Sequence, residues 1–325
     1  MHKPEHPFFR TSIKIIKWVV LILGIVYIIY QLSRFKQSEI IIDYSDIYIW
    51  LPVLLLLMLM NWGIEAVKWK ILINPVFLVT YWESFKAVLS GISVAIFTPA
   101  RIGEFAGKII HLPESLRLKG FMVSIAGNIS QWMVTLIMGI TAVPYLLYRF
   151  SSFTYDYPSY FFSLINIISF LACIFVLISF LQLPRLGNLL TKWKPLFKWK
   201  NDVKVWSSFH YTTLLFVLLL SCLRYLIFSF QYYILFVAFS IPVSWIDFQM
   251  LMATVFFIST LIPMFSVSEV ITRGSVLVWI FQLSESPSSS VIAISFLIWV
   301  INLALPALLG YFFIVQLPAN QSSDV

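Results

Sequence analysis

The sequence predicts an all-α polytopic membrane protein with six full transmembrane helices and two oppositely oriented re-entrant helical hairpins in an inverted repeat. Three observations carry this prediction. The composition is 60% hydrophobic and only 11% charged, with a mean hydropathy of +0.92, which is typical of lipid-facing helices rather than of a soluble core. Two apolar stretches break at a proline and then carry a glutamate followed by a cation. The cations otherwise cluster in short loops beside apolar runs, where they act as topology signals.

Six apolar windows approach or exceed the ~20 residues that a helix needs to cross a bilayer. They are residues 15–32, 47–67, 121–148, 160–182, 209–238 and 289–316. The first window follows basic residues but precedes no small-residue cleavage pattern, so we expect a retained helix rather than a signal peptide. No soluble domain is expected, and residues 1–325 are predicted to form a single transmembrane domain.

The remaining apolar segments are shorter and form two pairs. Residues 84–98 pair with 101–112, and residues 247–262 pair with 268–283. Pro99 and Pro263 break the chain near the turn of each pair, and we assign both a structural role. Irregular backbone at membrane depth is tolerated only where it is buried in protein or lines a wet cavity. The pairs are therefore predicted to be re-entrant hairpins.

The distribution of lysine and arginine tests this topology independently. With hairpins that enter and leave on one side, and with both termini in the cytoplasm, sixteen of the 22 cations lie inside or at the inner edge. A single crossing by residues 84–98 would divide the loop cations eight inside to eleven outside, because the basic loop 183–208 moves to the wrong face. Charge does not distinguish hairpins that stop midway from hairpins that cross twice, but the short arm 101–112 favours stopping midway.

This topology makes the two hairpins open from opposite sides of a bacterial inner membrane. The chain then consists of inverted halves, residues 13–150 and 158–316. Inverted halves with broken helices that meet near the midplane are how many transporters build a substrate site.

The two hairpins carry charged residues suited to an anionic headgroup. The helix after Pro99 and the helix starting near Ser268 should present unpaired N–H groups and a positive dipole end to an anion. Arg101 and Arg273 add planar guanidinium groups that suit phosphate. The alternative is that the glutamates only neutralise the cations four residues later along one helix face.

Polar residues elsewhere in the spans extend this candidate site. We expect Glu65 to line the cavity and to pair with Arg224, and Lys68 to extend to the membrane interface. Asn128, Ser130 and Gln131 lie close together in sequence, and interhelical hydrogen bonds and substrate contact explain them equally well. The predicted substrate-binding residues are Arg101, Gly103, Glu104, Lys108, Glu269, Arg273, Glu65, Arg224, Gln131 and Asn128.

Other residue types suggest structural roles. Asn302 and Pro306 indicate a packed kink in the last span. Most tryptophans fall near predicted helix ends, which favours an interfacial belt; they are residues 18, 50, 62, 69, 82, 193, 199, 206, 245 and 279. His111 and His210 are isolated, so we predict no metal and no cofactor. Nucleic acid is not an expected partner.

The run SFKAVLSGISVAIFTPARIGEFAGKI, residues 84–109, resembles the Pro-x-Arg-x-Gly-Glu signature of the lysylphosphatidylglycerol synthase transmembrane-region family. Pro99, Arg101, Gly103 and Glu104 fall at the matching positions. The run IPMFSVSEVITRGS, residues 262–275, resembles its second Pro-to-Glu element, although many relatives have a glycine-rich turn there. The likeness covers roughly residues 10–316.

The resemblance implies a flippase-like protein that moves a phosphate-bearing lipid or lipid-linked headgroup between leaflets. Two-part relatives carry a soluble aminoacyl-transferase domain, whereas this sequence ends shortly after its last predicted span, so we do not expect an enzyme. The headgroup is left open among an aminoacyl lipid, a glycolipid and a polyprenyl phosphate. Two alternatives also stay open, a non-catalytic membrane partner or anchor of a lipid-modifying enzyme and an intramembrane lipid-headgroup enzyme.

Overall fold

The computed structural model describes residues 44–98, 101–151, 159–261, 273–274, 276–277, 280 and 288–316. These residues contain α-helices and no β-strand. The helices are α1 (Tyr44–Ile73), α2 (Tyr81–Ala95), α3 (Gly103–Ile109), α4 (Arg117–Ser151), α5 (Ser159–Leu181), α6 (Leu183–Leu190), α7 (Lys200–Val203), α8 (Tyr211–Ala238), α9 (Trp245–Leu261), α10 (Ser288–Trp299) and α11 (Leu305–Val315). The predicted all-α class is confirmed.

Five of the described helical segments are long and apolar enough to cross a membrane. They are Tyr48–Ile73, Glu114–Arg149, Tyr160–Leu181, Tyr211–Ala238 and Ser290–Val315. Each matches a predicted window to within a few residues at most ends, although two begin or end six or seven residues beyond it. The predicted first span, residues 15–32, lies outside the described residues. The chain is therefore a multi-pass membrane protein.

The first predicted hairpin consists of two closely packed helices, α2 and α3. Gly103 and Gly107 have the small-xxx-small spacing that lets helix backbones approach in membranes. A Cβ on Gly107 would lie 2.4 Å from the backbone oxygen of Ser90, and one on Gly103 would lie 2.6 Å from that of Val94. These contacts run in opposite order along the two helices, so α3 folds back antiparallel onto α2. Whether the pair stops midway in the membrane stays a prediction.

The start of α2 is defined by a capping box. The Thr80 side chain accepts a hydrogen bond from the Glu83 backbone N–H at 3.2 Å, and Glu83 Oε2 accepts one from the Thr80 N–H at 2.7 Å. These bonds satisfy amides that the first turn leaves without helical partners. The predicted segment began at residue 84, because it was defined by apolar residues alone. The capping box shows that the helix begins three residues earlier, at Tyr81.

The last helix of each sequence half packs on the first hairpin helix of the other half. Ser93 of α2 donates a 2.5 Å hydrogen bond to the Ala307 carbonyl of α11, and a Cβ on Gly310 would lie 1.9 Å from the Leu89 oxygen. In the other half, a Cβ on Gly139 of α4 would lie 2.6 Å from Phe257 Cβ of α9.

The α4 contact continues toward the C-terminal end of α4 and the N-terminal end of α9, where Tyr145 donates a 2.7 Å hydrogen bond to Asp247. Both pairs are antiparallel, and both place a glycine at the point of closest approach. Each of the helices α2 and α9 therefore packs against a helix from the other half of the sequence. The inverted repeat itself stays a prediction.

The last span is interrupted by a π segment, Val300–Ala304. The Leu305 N–H donates to the Val300 carbonyl, five residues earlier, so the helix is wider there. π segments are rare and occur frequently at functional sites. Pro306 follows at the start of α11, where its missing N–H is tolerated. The π segment includes Asn302, whereas the kink predicted around Asn302 and Pro306 stays a prediction.

A candidate headgroup cavity

A cavity of about 590 Å³ lies between the turn that joins α2 to α3, the helices α1, α4, α8 and α9, and the last span. Its lining combines three arginines, neutral polar groups and aromatic rings. The lining residues are Asn61, Trp62, Arg101, Gln131, Trp132, Thr135, Arg224, Tyr225, Phe228, Tyr232, Phe256, Ser259, Thr260, Leu261, Arg273, Ser295, Ile298, Trp299, Asn302 and Leu303. Many of these residues lie near the middle of their helices. A volume of this size suits the headgroup of a lipid.

Arg224 on α8 is held in place by groups from two neighbouring helices. Its Nε donates to Asn61 Oδ1 at 2.8 Å, and its Nη1 bonds Glu65 and, at 3.4 Å, Gln131. Its guanidinium also lies over the Trp62 ring, 5.1 Å from the centroid, in a cation–π contact. The predicted pairing of Arg224 with Glu65 is confirmed.

Glu65 on α1 is the centre of a buried ionic cluster behind the cavity wall. Its carboxylate is 2.7 Å from Lys68 Nζ and 2.8 Å from Lys108 Nζ, and it also bonds Arg224. The glutamate is only 2% exposed. A buried carboxylate is tolerated at such a depth when several cations share it. Three helices, α1, α3 and α8, are joined through this one side chain.

Lys108 connects the first hairpin to this cluster. It lies 2.8 Å from Glu104 Oε1, four residues earlier on α3, as well as contacting Glu65. The ion pair predicted along one face of this helix therefore forms, and it has a second function in fixing the hairpin against α1. Neither Glu104 nor Lys108 lines the cavity in the described part of the chain.

Lys68 does not extend to the membrane interface. Its side chain is fully buried, and its Nζ contacts Glu65 and donates to Ser221 Oγ at 3.4 Å. The prediction of a snorkelling lysine was wrong, because a buried carboxylate one helical turn away compensates the ammonium group. Ser221 also bonds Ser130 at 2.8 Å, so the polar network extends from α1 through α8 to α4.

Arg101 lies at the tip of the first hairpin in an unusual backbone conformation. Its φ angle is 57°, in the left-handed region that residues other than glycine rarely adopt. Such strain is concentrated at functional sites. The arginine lines the cavity, and its Nε is buried with no hydrogen-bond partner among the described residues. Arg273, from the second predicted hairpin, lines the same cavity, with Phe228 and Phe256 rings 5.7 and 5.8 Å from its guanidinium.

Four neutral polar groups of the cavity wall are buried without a hydrogen-bond partner in the described part of the structure. They are Tyr225 Oη, Ser259 Oγ, Ser295 Oγ and Asn302 Oδ1. A buried polar group left unpaired is unfavourable by about 1–3 kcal/mol. Native structures rarely keep several together unless water or a ligand satisfies them. The cavity wall therefore has hydrogen-bonding capacity beyond its arginines.

The structure brings many of the predicted site residues together but divides them into two groups. Arg101, Arg224, Gln131 and Arg273 line the cavity, whereas Glu65, Glu104 and Lys108 form the cluster behind it. Gly103 contacts α2 and shapes the hairpin. Asn128 is half-buried on α4, one turn before the lining residues. Pro99, Pro263 and Glu269 lie outside the described residues.

The predicted free N–H groups at the start of α3 are already bonded. The Gly103 N–H donates to Thr98 Oγ1 at 2.8 Å, and the Glu104 N–H donates to the Arg101 carbonyl at 3.0 Å. The Phe105 N–H likewise donates to the Ile102 carbonyl at 3.1 Å. The expected anion site on this helix terminus was therefore wrong, since the tight hairpin turn satisfies its own amides. Of the groups on the first hairpin that were predicted to contact an anion, Arg101 lines the cavity.

Three tryptophans assigned to the interfacial belt are internal. Trp62 is buried in the cavity wall and donates to the Asn302 carbonyl at 3.1 Å. Trp69 donates to Ser124 Oγ and Trp206 to the Met122 carbonyl. Asn61 and Trp62 lie one turn before Glu65, and this spacing was the available signal that they face the same site.

A family model described as the lysylphosphatidylglycerol synthase TM region matches residues 15–310. The chain belongs to this family. The match confirms the resemblance carried by the Pro-Ala-Arg-Ile-Gly-Glu run and its second element. No curated protein and no solved structure matches the chain. Membership links this multi-pass membrane protein to lipid handling.

Proposed function

We propose that this protein is a flippase that moves a phosphate-bearing lipid or lipid-linked headgroup between the leaflets of the bacterial inner membrane. The observation that carries the proposal is the convergence of three arginines on one cavity. Arg101 and Arg273 come from the two predicted hairpins, and Arg224 comes from α8 between them. Guanidinium groups bind phosphate through paired, charge-assisted hydrogen bonds.

Two exposed apolar residues of the cavity lining support a lipid substrate. Trp132 is 52% exposed and Leu261 is 61% exposed, yet both line the cavity. Apolar groups exposed on a membrane-spanning helix face lipid. The cavity therefore opens toward the acyl chains between α4 and the end of α9. A headgroup could enter there while its tails stay in the bilayer.

The lining of the cavity supports lipid transport better than it supports catalysis. Among the described lining residues there is no Asp, Glu, His, Lys or Cys to serve as a general base or nucleophile. Arginine binds anions but does not exchange protons at physiological pH. The buried carboxylates of Glu65 and Glu104 are engaged with lysines or Arg224. In the proposed mechanism this cluster stabilises the arginine-lined wall while one part of the protein rocks against another.

A leaflet-resolved transport assay tests the proposal. Full-length protein is reconstituted into vesicles that contain a fluorescent phospholipid, and a membrane-impermeant quencher reports the fraction in the outer leaflet. We expect lipid exchange in protein-containing vesicles, a large loss with Arg101→Gln or Arg224→Gln, and normal exchange with Arg185→Gln, which removes an exposed cation far from the cavity. Unchanged exchange in both cavity variants would refute the proposed role of the arginines.

The same vesicles separate the competing functions. Conversion of the lipid to a new mass without exchange would identify an enzyme. Absence of both exchange and conversion, together with loss of a co-purifying lipid-modifying enzyme on deletion of residues 183–208, would identify an anchor. We expect neither outcome.

A further inference from the structure

The charged residues in and behind the cavity wall do not balance. Five cations are accompanied by two described carboxylates. The cations are Lys68, Arg101, Lys108, Arg224 and Arg273, and the carboxylates are Glu65 and Glu104. Counting Glu269 as a third carboxylate, although it lies outside the described residues, still leaves two positive charges in excess. Excess charge among membrane-spanning helices is unfavourable unless an anion compensates it.

We infer, on the basis of the proposed flippase function, that the transported headgroup carries at least two negative charges. A phosphomonoester or diphosphate neutralises the excess, since a phosphomonoester bears about −1.5 to −2 charges at pH 7. A phosphodiester with one negative charge leaves part of the excess uncompensated. A zwitterionic headgroup compensates none of it, and a cationic aminoacyl headgroup adds to it.

The positions of the cations favour such a dianion. Arg224 is committed in part to Glu65, Asn61 and Gln131, which fixes its orientation. Arg101 and Arg273 line the same cavity from two other segments of the chain. A ligand with two anionic groups can therefore contact arginines from different elements at once, whereas a single phosphodiester satisfies fewer of these donors.

The unpaired neutral groups further limit the chemical class of the headgroup. Tyr225 Oη, Ser259 Oγ and Ser295 Oγ can donate or accept hydrogen bonds, and Asn302 Oδ1 accepts them. These groups lie in the same cavity as the arginines. A polyol attached to the phosphate supplies complementary hydroxyl groups at this wall. The chemical class that fits the whole cavity is therefore a lipid-linked polyol phosphate or diphosphate.

Binding by lipids that differ in headgroup charge tests the inference. The probes are phosphatidic acid, phosphatidylglycerol, phosphatidylethanolamine and lysyl-phosphatidylglycerol, each titrated onto detergent-solubilised full-length protein at constant salt, with thermal stabilisation as the readout. We expect phosphatidic acid to bind about tenfold more tightly than phosphatidylglycerol, because one additional charge contacts buried guanidinium groups. The other two lipids should bind more weakly than phosphatidylglycerol. Phosphatidylinositol 4-phosphate, which adds both a polyol and a further negative charge, should bind at least as tightly as phosphatidic acid.

Cavity variants distinguish this site from the basic surface loop. Arg101→Gln and Arg273→Gln should reduce the preference for phosphatidic acid over phosphatidylglycerol to about twofold or less. Arg185→Gln should leave the preference unchanged. Should Arg101→Gln fail to fold, Arg101→Lys keeps the charge and should retain most of the preference. An equal loss in Arg185→Gln would overturn the assignment, because it would place the anion on the loop.

The outcomes separate this inference from the function on which it rests. Tighter binding or faster exchange of lysyl-phosphatidylglycerol than of phosphatidic acid would overturn the substrate class and leave transport standing. Absence of binding and exchange for all of these lipids would overturn the flippase function as well.

Discussion

Replacing Glu65 by glutamine should destabilise the protein strongly, because the carboxylate is shared by three buried cations. Lys68 and Lys108 lie 2.7 and 2.8 Å away, and Arg224 bonds the same group. Removing one partner of a buried ion pair is destabilising by about 3–5 kcal/mol, because it leaves an uncompensated charge. The amide of glutamine retains one acceptor oxygen but no charge, so we expect a loss of at least ~3 kcal/mol.

Thermal unfolding in detergent measures this loss. At roughly 2 °C per kcal/mol, the lower end of the range for larger domains, the melting temperature should fall by ~6 °C or more. Glu83→Gln is the matched control, since Glu83 is exposed and caps α2, and its loss should be about 1 kcal/mol or less. Adding Lys68→Met to Glu65→Gln should recover part of the stability by removing one unpaired cation. A Glu65→Gln protein as stable as the control variant would show that the cluster does not stabilise the fold.

Three further predictions test other parts of the structure. Gly310→Ala should lower the free energy of unfolding by about 1–3 kcal/mol, because its Cβ would lie 1.9 Å from the Leu89 oxygen, whereas Gly274→Ala, with its nearest neighbour at 3.6 Å, should melt near the wild-type temperature; equal melting temperatures would argue against the close α2–α11 contact. His111, in the connection between α3 and α4, has a pKa lowered from 6.5 to about 4 by burial and by the nearby Lys86. Its contribution to stability is therefore present above pH 6.5 and lost as the pH falls toward 4, and His111→Asn should flatten that part of a melting-temperature profile; an unchanged profile would contradict it. Cysteines introduced at exposed Leu78 and Glu114, on either side of the first hairpin, should react with an impermeant thiol reagent from the same membrane face as Lys198→Cys and from the face opposite to Pro242→Cys; labelling of Leu78→Cys and Glu114→Cys from opposite faces would exclude a hairpin.

Helix positions were accessible from sequence because the bilayer imposes a simple requirement on length and polarity. The helices α5, α8 and α9 begin and end within two residues of their predicted windows. Helix α4 is longer than its window, which began at residue 121, because Arg117 and Lys119 occupy its first turn. A hydropathy window excludes such residues, although they are compatible with a helix that extends beyond the apolar core of the membrane.

The charged site was predicted in outline but not in its division between wall and cluster. Arg101, Arg224 and Arg273 could be selected because isolated arginines in apolar segments are expensive and need a function or a partner. The burial of Lys68 could not be predicted, because it depends on Lys108 and Ser221, which two other helices bring close to Glu65 and Lys68. Likewise, the burial of Trp62 depends on packing against the distant residues Arg224 and Asn302, which its position near the end of a predicted span does not indicate.

The exchange of packing partners between the two sequence halves determines which pieces of this protein can move as one. Because α11 is joined to α2 at Gly310, and α4 to α9 at Gly139, each predicted hairpin helix is coupled to the last helix of the opposite half. A rocking motion that preserves these contacts would move α2 together with α11 and α9 together with α4. Each moving body would then contain helices from both sequence halves, which meet near residue 155. Expressing residues 13–150 alone would leave α2 without its packing partner α11, and expressing residues 158–316 alone would leave α9 without α4. The two fragments should therefore be stable only when they are produced together.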